Sequence, residues 1–431
     1  MFRFCLPESF HPGEFLPPKL IRLADDARFF VATILTKTAR KDVDEFRTVR
    51  LMAKHLRNIM NFRHYNDVID SLLIGGAVQR VAYEVGNCPF GYRLAERFRN
   101  DRHVRIQATD GRLIRRLTAF HQAAENNRQS RLLPVHHALE RHQRYLEIDG
   151  DQAREILETL PPESNPYDVQ GVLVQDIKDR EFHINVGTYG RLINNVTSLK
   201  REVRQALRLG MEPLEHVDIR CCQPALIGQM IRAKTGQQQQ GRTGRQTGTA
   251  GGSNYDVQFC QSLYTTTAKN SHCSGSDVDV YCALTQSGEF YDFLLAKLKS
   301  QSCSTFSRDD LKKRFLCDVV AKRKANSQGD EYPSPVEDVF SESFPSVYQF
   351  IREFNADGWH HENLIRRLQQ EESRLVIETV AADLVVSHPG VFLLTLHDAI
   401  FTTPRYIPDV IGAFERAFLR TGFAMALKVA R

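Results

Sequence analysis

The chain has 431 residues, 42% of them hydrophobic and 25% charged, with a formal net charge of +5. That is enough apolar material for an ordinary folded core, and enough length for two or three domains or one large multi-lobed one. No apolar run reaches the roughly 18 residues that a spanning helix needs. Met1 to Glu8 carries Pro7 and Glu8 where a secretory signal needs a long apolar stretch, so a cytoplasmic protein without a membrane partner is expected. The nine cysteines are an odd number with no C-x-x-C pair, and Cys221 and Cys222 are adjacent. They read as reduced thiols and not as a disulfide frame or a zinc site.

Residues 20–75 read as helices, with Leu20, Leu23, Phe30 and Ile34, then Val49, Met52, Leu56 and Ile59, recurring at helical spacing. From Arg80 to Tyr145 there are 13 arginines and no lysine against 6 acids. Such a stretch suits a nucleic-acid backbone or a merely solvated surface. Residues 112–145 predict helices broken at Pro134. The run Pro161-Pro162-Glu163-Ser164-Asn165-Pro166 marks a boundary. Phe182 to Val186 then alternates like a strand, followed by a turn at Gly187–Gly190, a basic helix from Leu199 to Leu209 and a strand closed by Asp218. Residues 234–253 predict a mobile low-complexity loop, and residues 258–385 predict helices with a loop near Asn326–Pro335. Gln369-Gln370-Glu371-Glu372 is expected to begin a long helix reaching Leu384. Val391 to Phe401 predicts a buried strand with Asp398 in it, and Ile407 to Gly422 an amphipathic helix. The expected domains are 1–165 (helical and basic), 166–230, 231–257 (disordered), 258–385 and 386–431.

Two features carry chemistry. Asp218 and Asp398 are carboxylates delivered by apolar, strand-like segments far apart in the chain. Paired carboxylates of this kind suit two-metal phosphoryl chemistry, because Mg²⁺ takes hard oxygen ligands and substrate phosphates complete its shell. Arg308 and Lys312 are four residues apart, so on a helix they share a face. Facing cations are suited to a triphosphate, while the run Lys313-Arg314 allows a plain solvated reading. A His-Asp doublet such as His397-Asp398 also occurs in metal phosphohydrolases, but on helices, and the Val, Phe and Thr before this one favour a strand.

Taken in order, these segments resemble the polymerase domain of family A DNA polymerases and, more distantly, the single-subunit phage-type RNA polymerases. Thr188-Tyr189-Gly190-Arg191-Leu192 resembles the family's T-G-R-L motif. Asp218-Ile219-Arg220-Cys221-Cys222-Gln223-Pro224 resembles motif A, Arg308 and Lys312 match the R-x-x-x-K of motif B, and His397-Asp398-Ala399 resembles the H-D-E of motif C. The resemblance covers roughly residues 185–425, and it implies an α+β right-hand fold. That fold has an antiparallel palm sheet, helical fingers, a thumb-like helical N-terminal region and no room upstream for an exonuclease domain.

It implies template-dependent DNA synthesis with two Mg²⁺ ions, Mn²⁺ being the alternative, held by Asp218, Asp398 and the Ile219 carbonyl. Arg308 and Lys312 would meet the triphosphate. Arg191, Gln369 or Gln370, and His397 would position the primer–template end, with Gln223 beside the sugar. Primer–template DNA, nucleoside triphosphates and a helicase or other replication proteins are the implied partners. The sequence departs from the family at Gln223 and Ala399, where glutamates stand, and at Leu316 and Val320, where the fingers helix ends in an aromatic and Tyr-Gly. An RNA polymerase or primase-like enzyme, and a nucleic-acid-binding protein with a decayed palm, are the alternatives that these departures keep open.

Overall fold

The computed structural model of the chain describes residues 2–44, 47–81, 89–243, 276–300, 306–322, 333–355 and 361–430, with the backbone alone for 235–243. The fold is mixed α+β, with helices beside small antiparallel sheets. Two compact units emerge. The first comprises Met1–Val217, Val376–Val410 and Val429–Arg431, the second Asp218–Leu375 and Ile411–Lys428. The division thus falls at Val217–Asp218, and the proline-rich break at 161–166 lies inside the first unit as two 3₁₀ turns. No helix among the described residues is long and apolar enough to cross a membrane.

The N-terminal region of the first unit is not purely helical, as the helical spacing of its apolar residues implied. The strand Arg3–Pro7 pairs antiparallel with His103–Gln107, and Gly91–Leu94 pairs with both Val49–Arg50 and Val78–Val81. These strands are short and separated by helices, so helical periodicity dominates the sequence around them. Helix Ala24–Ala39 buries Phe30, Val31, Ile34 and Leu35. One apolar core runs from Phe4, Leu6 and Phe30 through Leu199 and Val203 to Leu394, Leu396 and Phe401. The C-terminal strands are therefore built into the same core as the N-terminus. Residues 199–209 hold a single helical turn, Arg201–Arg204, and then the strand Leu207–Leu209. That strand is flanked by Glu147–Ile148 and Glu212–Pro213, and pairing on both edges overrides the basic residues' helix propensity.

Part of the arginine-rich stretch is engaged with the protein's own acids. Arg105 binds Asp176 and Glu181, Arg128 binds Glu125 and Glu140, Arg97 binds Glu14 and Arg99 binds Glu96. A second internal feature is a set of histidines held neutral. Burial pushes His183 down to about 3 and lowers His142 and His136 as well. An unfolded chain takes up these protons near the ordinary value of 6.5, whereas the folded one refuses them until lower pH. This contribution is therefore fully favourable above pH 6.5 and erodes as the pH falls toward 3. The melting temperature of a His183→Gln variant is expected to depend less on pH over that window than that of the parent, with a constant difference counting against it.

In the second unit, helix Cys222–Thr243 runs into the stretch expected to be a loop. Ala, Lys and Gln are good helix formers, and low complexity does not prevent them from continuing an established helix. Residues 244–257 lie outside the described residues, as do 326–332 of the expected loop near Asn326–Pro335. Helix Asn363–Ser373 continues through a π-helical stretch, Arg374–Ala381, into Ala382–Ser387. Gln369 and Gln370 therefore lie inside this helix and not at its start. The sequence placed the start too late because Asn363 to Arg367 lacks a side-chain cap.

Candidate functional site

Residues 391–401 form a hairpin and not one strand. Leu394–Leu396 pairs antiparallel with Ala399–Thr402, in the register Leu394↔Phe401, Thr395↔Ile400 and Leu396↔Ala399. His397 and Asp398 are thus the two residues of the turn. A two-residue hairpin turn calls for positive φ, and His397 supplies it at 54°. Histidine tolerates that region better than a β-branched residue does, but the missing glycine hid the turn in the sequence. Every residue of both strands is buried, while His397 is exposed and Asp398 half-buried. The hairpin therefore presents its one carboxylate at the tip of an apolar rod.

Side chains remote in sequence fix this rod. Asn194, 1% exposed, donates from Nδ2 to the Thr395 carbonyl at 3.1 Å and accepts on Oδ1 from the Val196 and Thr197 amides. His142 Nδ1 accepts from the Leu393 amide at 3.2 Å, and its ring lies 6.1 Å from Phe392. On the other side, the ring of His216 stacks on Phe401 at 4.6 Å. The strand Glu215–Ile219 is the next neighbour of Ala399–Thr402 in the sheet order. Asn194 closes the hairpin Ile184–Val186/Leu192–Asn194, whose Gly187–Arg191 turn carries Arg191, with Gly190 at φ 80°. Arg191 also acts on His397. Although His397 keeps part of its surface open at the tip, partial desolvation of the ring is the first cause that lowers the imidazolium, and the charges of Arg191, Arg204 and Lys41 add to it. In the first unit the charge of Arg191 is thus felt at His397, next to Asp398 in the turn.

Asn194→Ala would strand the buried Thr395 carbonyl and two amides, at a cost of about 2–3 kcal/mol. The expected result is a lower melting temperature with faster hydrogen exchange at Leu396 and Ala399. Unchanged exchange there would remove Asn194 from the support of the tip.

In the second unit, Asp218 is half-buried on the strand Glu215–Ile219, with Ile219 buried beside it. The chain then turns at Cys221, with φ 52°, into helix Cys222–Thr243, where Gln223 stands half-buried in the first turn. The Arg308–Arg314 helix forms as expected, capped by Ser307. Arg308 lies 3.4 Å from Asp292. Lys312 lies 4.0 Å from Asp309 and 5.9 Å from the ring centre of Tyr291. Burial raises the Cys221 thiol, and the Tyr291 amide and the charges of Arg308 and Lys312 act against that rise. The charges of Arg308 and Lys312 are thus felt at Cys221, in the turn that follows the Asp218 strand in the second unit. Gln369, half-buried, and Gln370, exposed, ride on a helix packed against the one that carries Gln223.

Asn194, His142 and Tyr291 were missed by sequence reasoning. Only the polar pair Asn194-Asn195 between apolar residues hinted at a buried role. Leu316 and Val320 lie in a π-helical stretch, Phe315–Val320, with Val320 fully buried. Among the described residues no three or more His, Cys, Asp and Glu side chains gather as a metal cage. A Mg²⁺ ion that keeps its waters and takes one or two carboxylates plus phosphate oxygens requires none, so the oxygen donors Asp218, Asp398 and the Ile219 carbonyl fit it chemically. No protein-family model matches the chain, and no curated protein matches it.

Proposed function

We propose that this protein catalyses template-dependent nucleotidyl transfer, adding nucleotides to a primer 3′-hydroxyl on a right-hand fold of the family A polymerase kind. The observation that carries the reading is the half-buried Asp398 in a two-residue turn at the tip of an otherwise buried hairpin. Support comes also from Asp218, Arg308 and Lys312 belonging to one unit and Arg191, His397 and Asp398 to the other.

Asp218 with the Ile219 carbonyl in the second unit, and Asp398 in the first, are the oxygen donors that this reading assigns to metal binding. Bound Mg²⁺ supplies Lewis acidity toward the hydroxyl and the triphosphate. Arg308 and Lys312 meet the triphosphate and balance charge on the departing pyrophosphate. His397, its imidazolium disfavoured, meets the primer end as a neutral hydrogen-bonding ring. Arg191 and Gln369 or Gln370 orient the primer–template end. DNA, nucleoside triphosphates and other replication proteins are the partners of this reading.

Primer extension on a DNA template with Mg²⁺, run with dNTPs and rNTPs in parallel, tests it. Extension with dNTPs is the expected result, and no extension with either set, despite DNA binding, would overturn it. Gln223, in place of an acid that helps to exclude ribonucleotides, favours a second reading as an RNA-synthesising enzyme, which the rNTP lane decides.

A further inference from the structure

A cavity of about 320 Å³ lies within the first unit, walled by the end of helix Pro134–Gln143 and by the start of the strand Ile184–Val186 with the residues before it. That size falls at the lower end of the roughly 300–1,000 Å³ that small-molecule sites span.

The walls are held in one hydrogen-bonded frame. Asn195, fully buried, accepts on Oδ1 from Gln143 Nε2 at 2.9 Å and from the His183 amide at 2.8 Å. It donates from Nδ2 to the Glu181 carbonyl at 3.0 Å. Gln143 Nε2 donates a second time, to the His183 carbonyl at 3.3 Å. Arg180 closes the frame just past helix Val169–Lys178, with φ 57°, a conformation that glycine adopts more easily. Its Nη1 donates to the Arg144 carbonyl at 2.7 Å, and its Nη2 binds Glu147 at 2.8 Å. A cavity between side chains fixed in this way is formed before any ligand arrives.

The polar atoms left over define what can fill it. Gln143 is 1% exposed and both its Nε2 protons are spent on the frame. It therefore offers the cavity its Oε1, an acceptor that takes no hydrogen bond from any described residue. His183 Nδ1 is buried without a partner, so the ring can meet a ligand only through Nε2. A ring proton is usable on Nε2 and would be stranded on Nδ1, which makes Nε2 the donor. Together the two side chains ask for a ligand edge that carries a donor beside an acceptor. Phe182, half-buried, adds an apolar wall on which a flat ring can stack. Arg144 is exposed, and among the described residues no carboxylate lies within ion-pair distance of it. Glu140, which also lines the cavity, is engaged by Arg128 at 2.7 Å.

We propose that this cavity binds a nucleoside monophosphate whose base is adenine or cytosine. The exocyclic amine of either base donates to Gln143 Oε1, and the adjacent ring nitrogen accepts from His183 Nε2. The base stacks on Phe182 and the phosphate meets Arg144. Uracil and thymine carry a carbonyl in place of the amine and an N–H in place of the acceptor, so both hydrogen bonds fail. One unpaired guanidinium suits one phosphate better than three. None of these residues is assigned to the nucleoside triphosphate, and the inference does not rest on the polymerase reading.

The test is calorimetric titration of the full chain with AMP, CMP, UMP and adenosine, without Mg²⁺, beside the variants Arg144→Gln, Phe182→Leu and Lys312→Gln. AMP and CMP are expected to bind one to one, and UMP at least about ten-fold more weakly, the scale of buried polar groups left unpaired. Arg144→Gln should weaken AMP about ten-fold, as for a lost hydrogen bond to a charged group, and leave adenosine unchanged. Its melting temperature should match the parent's because the side chain is exposed. Phe182→Leu should weaken AMP and adenosine alike, by roughly five-fold. Lys312→Gln should change neither. No saturable heat with AMP at millimolar concentration overturns the site, and so does UMP that binds as tightly as AMP. AMP affinity that falls in Lys312→Gln and survives in Arg144→Gln also overturns it, since the ligand would then sit at the triphosphate residues.

Discussion

Asp398→Ala is expected to reduce primer extension by at least about 10³-fold, the scale of losing a group that stabilises charge in the transition state, while melting temperature and DNA affinity stay close to those of the parent. The separation follows from where Asp398 sits. The hairpin is held by its three register pairs, by Asn194 on the Thr395 carbonyl and by His142 on the Leu393 amide. The backbone turn is set by His397 at φ 54°. The Asp398 side chain lies at the tip and not in the core, so its removal leaves no cavity among the apolar residues. Asp398→Asn, which keeps the size and removes the charge, should be as inactive as the alanine variant. Asp218→Ala should follow it. Extension retained near the parental rate would remove the carboxylates from the chemistry. Lost DNA binding would mean that the tip serves the strand and not the reaction.

How far the sequence revealed this site depended on how local each signal was. Arg308 and Lys312 fell on one helix because a Ser307 cap and a four-residue spacing are local facts. The Ile184–Val186 strand and the Gly187–Gly190 turn were legible for the same reason. The hairpin at His397–Asp398 was not, since positive φ at a histidine has no sequence mark of the kind glycine leaves. The strand Leu207–Leu209 was hidden by the helix propensity of its flanks and exists because neighbours pair with it on both edges. The burial of Val320 and the bracing by Asn194 and His142 are long-range facts that no window of sequence contains. The arginine-rich stretch was legible only as composition. Composition gave its charge, but only the fold gave the acids that engage Arg105 and Arg128.

The largest expected stability effect lies in the second unit at Phe340, fully buried on helix Pro335–Ser343. Its ring centre lies 5.3 Å from Phe315, 5.5 Å from Phe344, 6.1 Å from Tyr281 and 6.2 Å from Phe290. These rings come from different helices, and Tyr281 further ties the cluster to helix Cys222–Thr243 through its hydroxyl on the Pro224 carbonyl at 2.9 Å. Phe340→Ala removes the hub, at a cost of about 3–5 kcal/mol for the lost burial and residual cavity. In a unit of this size that is a fall of about 10 °C in melting temperature. Phe315 directly follows the Arg308–Arg314 helix, so loosening the cluster should also free the helix that carries Lys312. The variant is therefore expected to show a raised KM for nucleotide triphosphate. Hydrogen exchange should quicken in the second unit's helices and stay unchanged in the Arg3–Pro7 strand of the first unit. A raised KM without faster exchange would place Phe340 nearer the nucleotide than the packing implies. A fall in stability with an unchanged KM would mean that Lys312 is positioned by the Ser307 cap and Tyr291 alone.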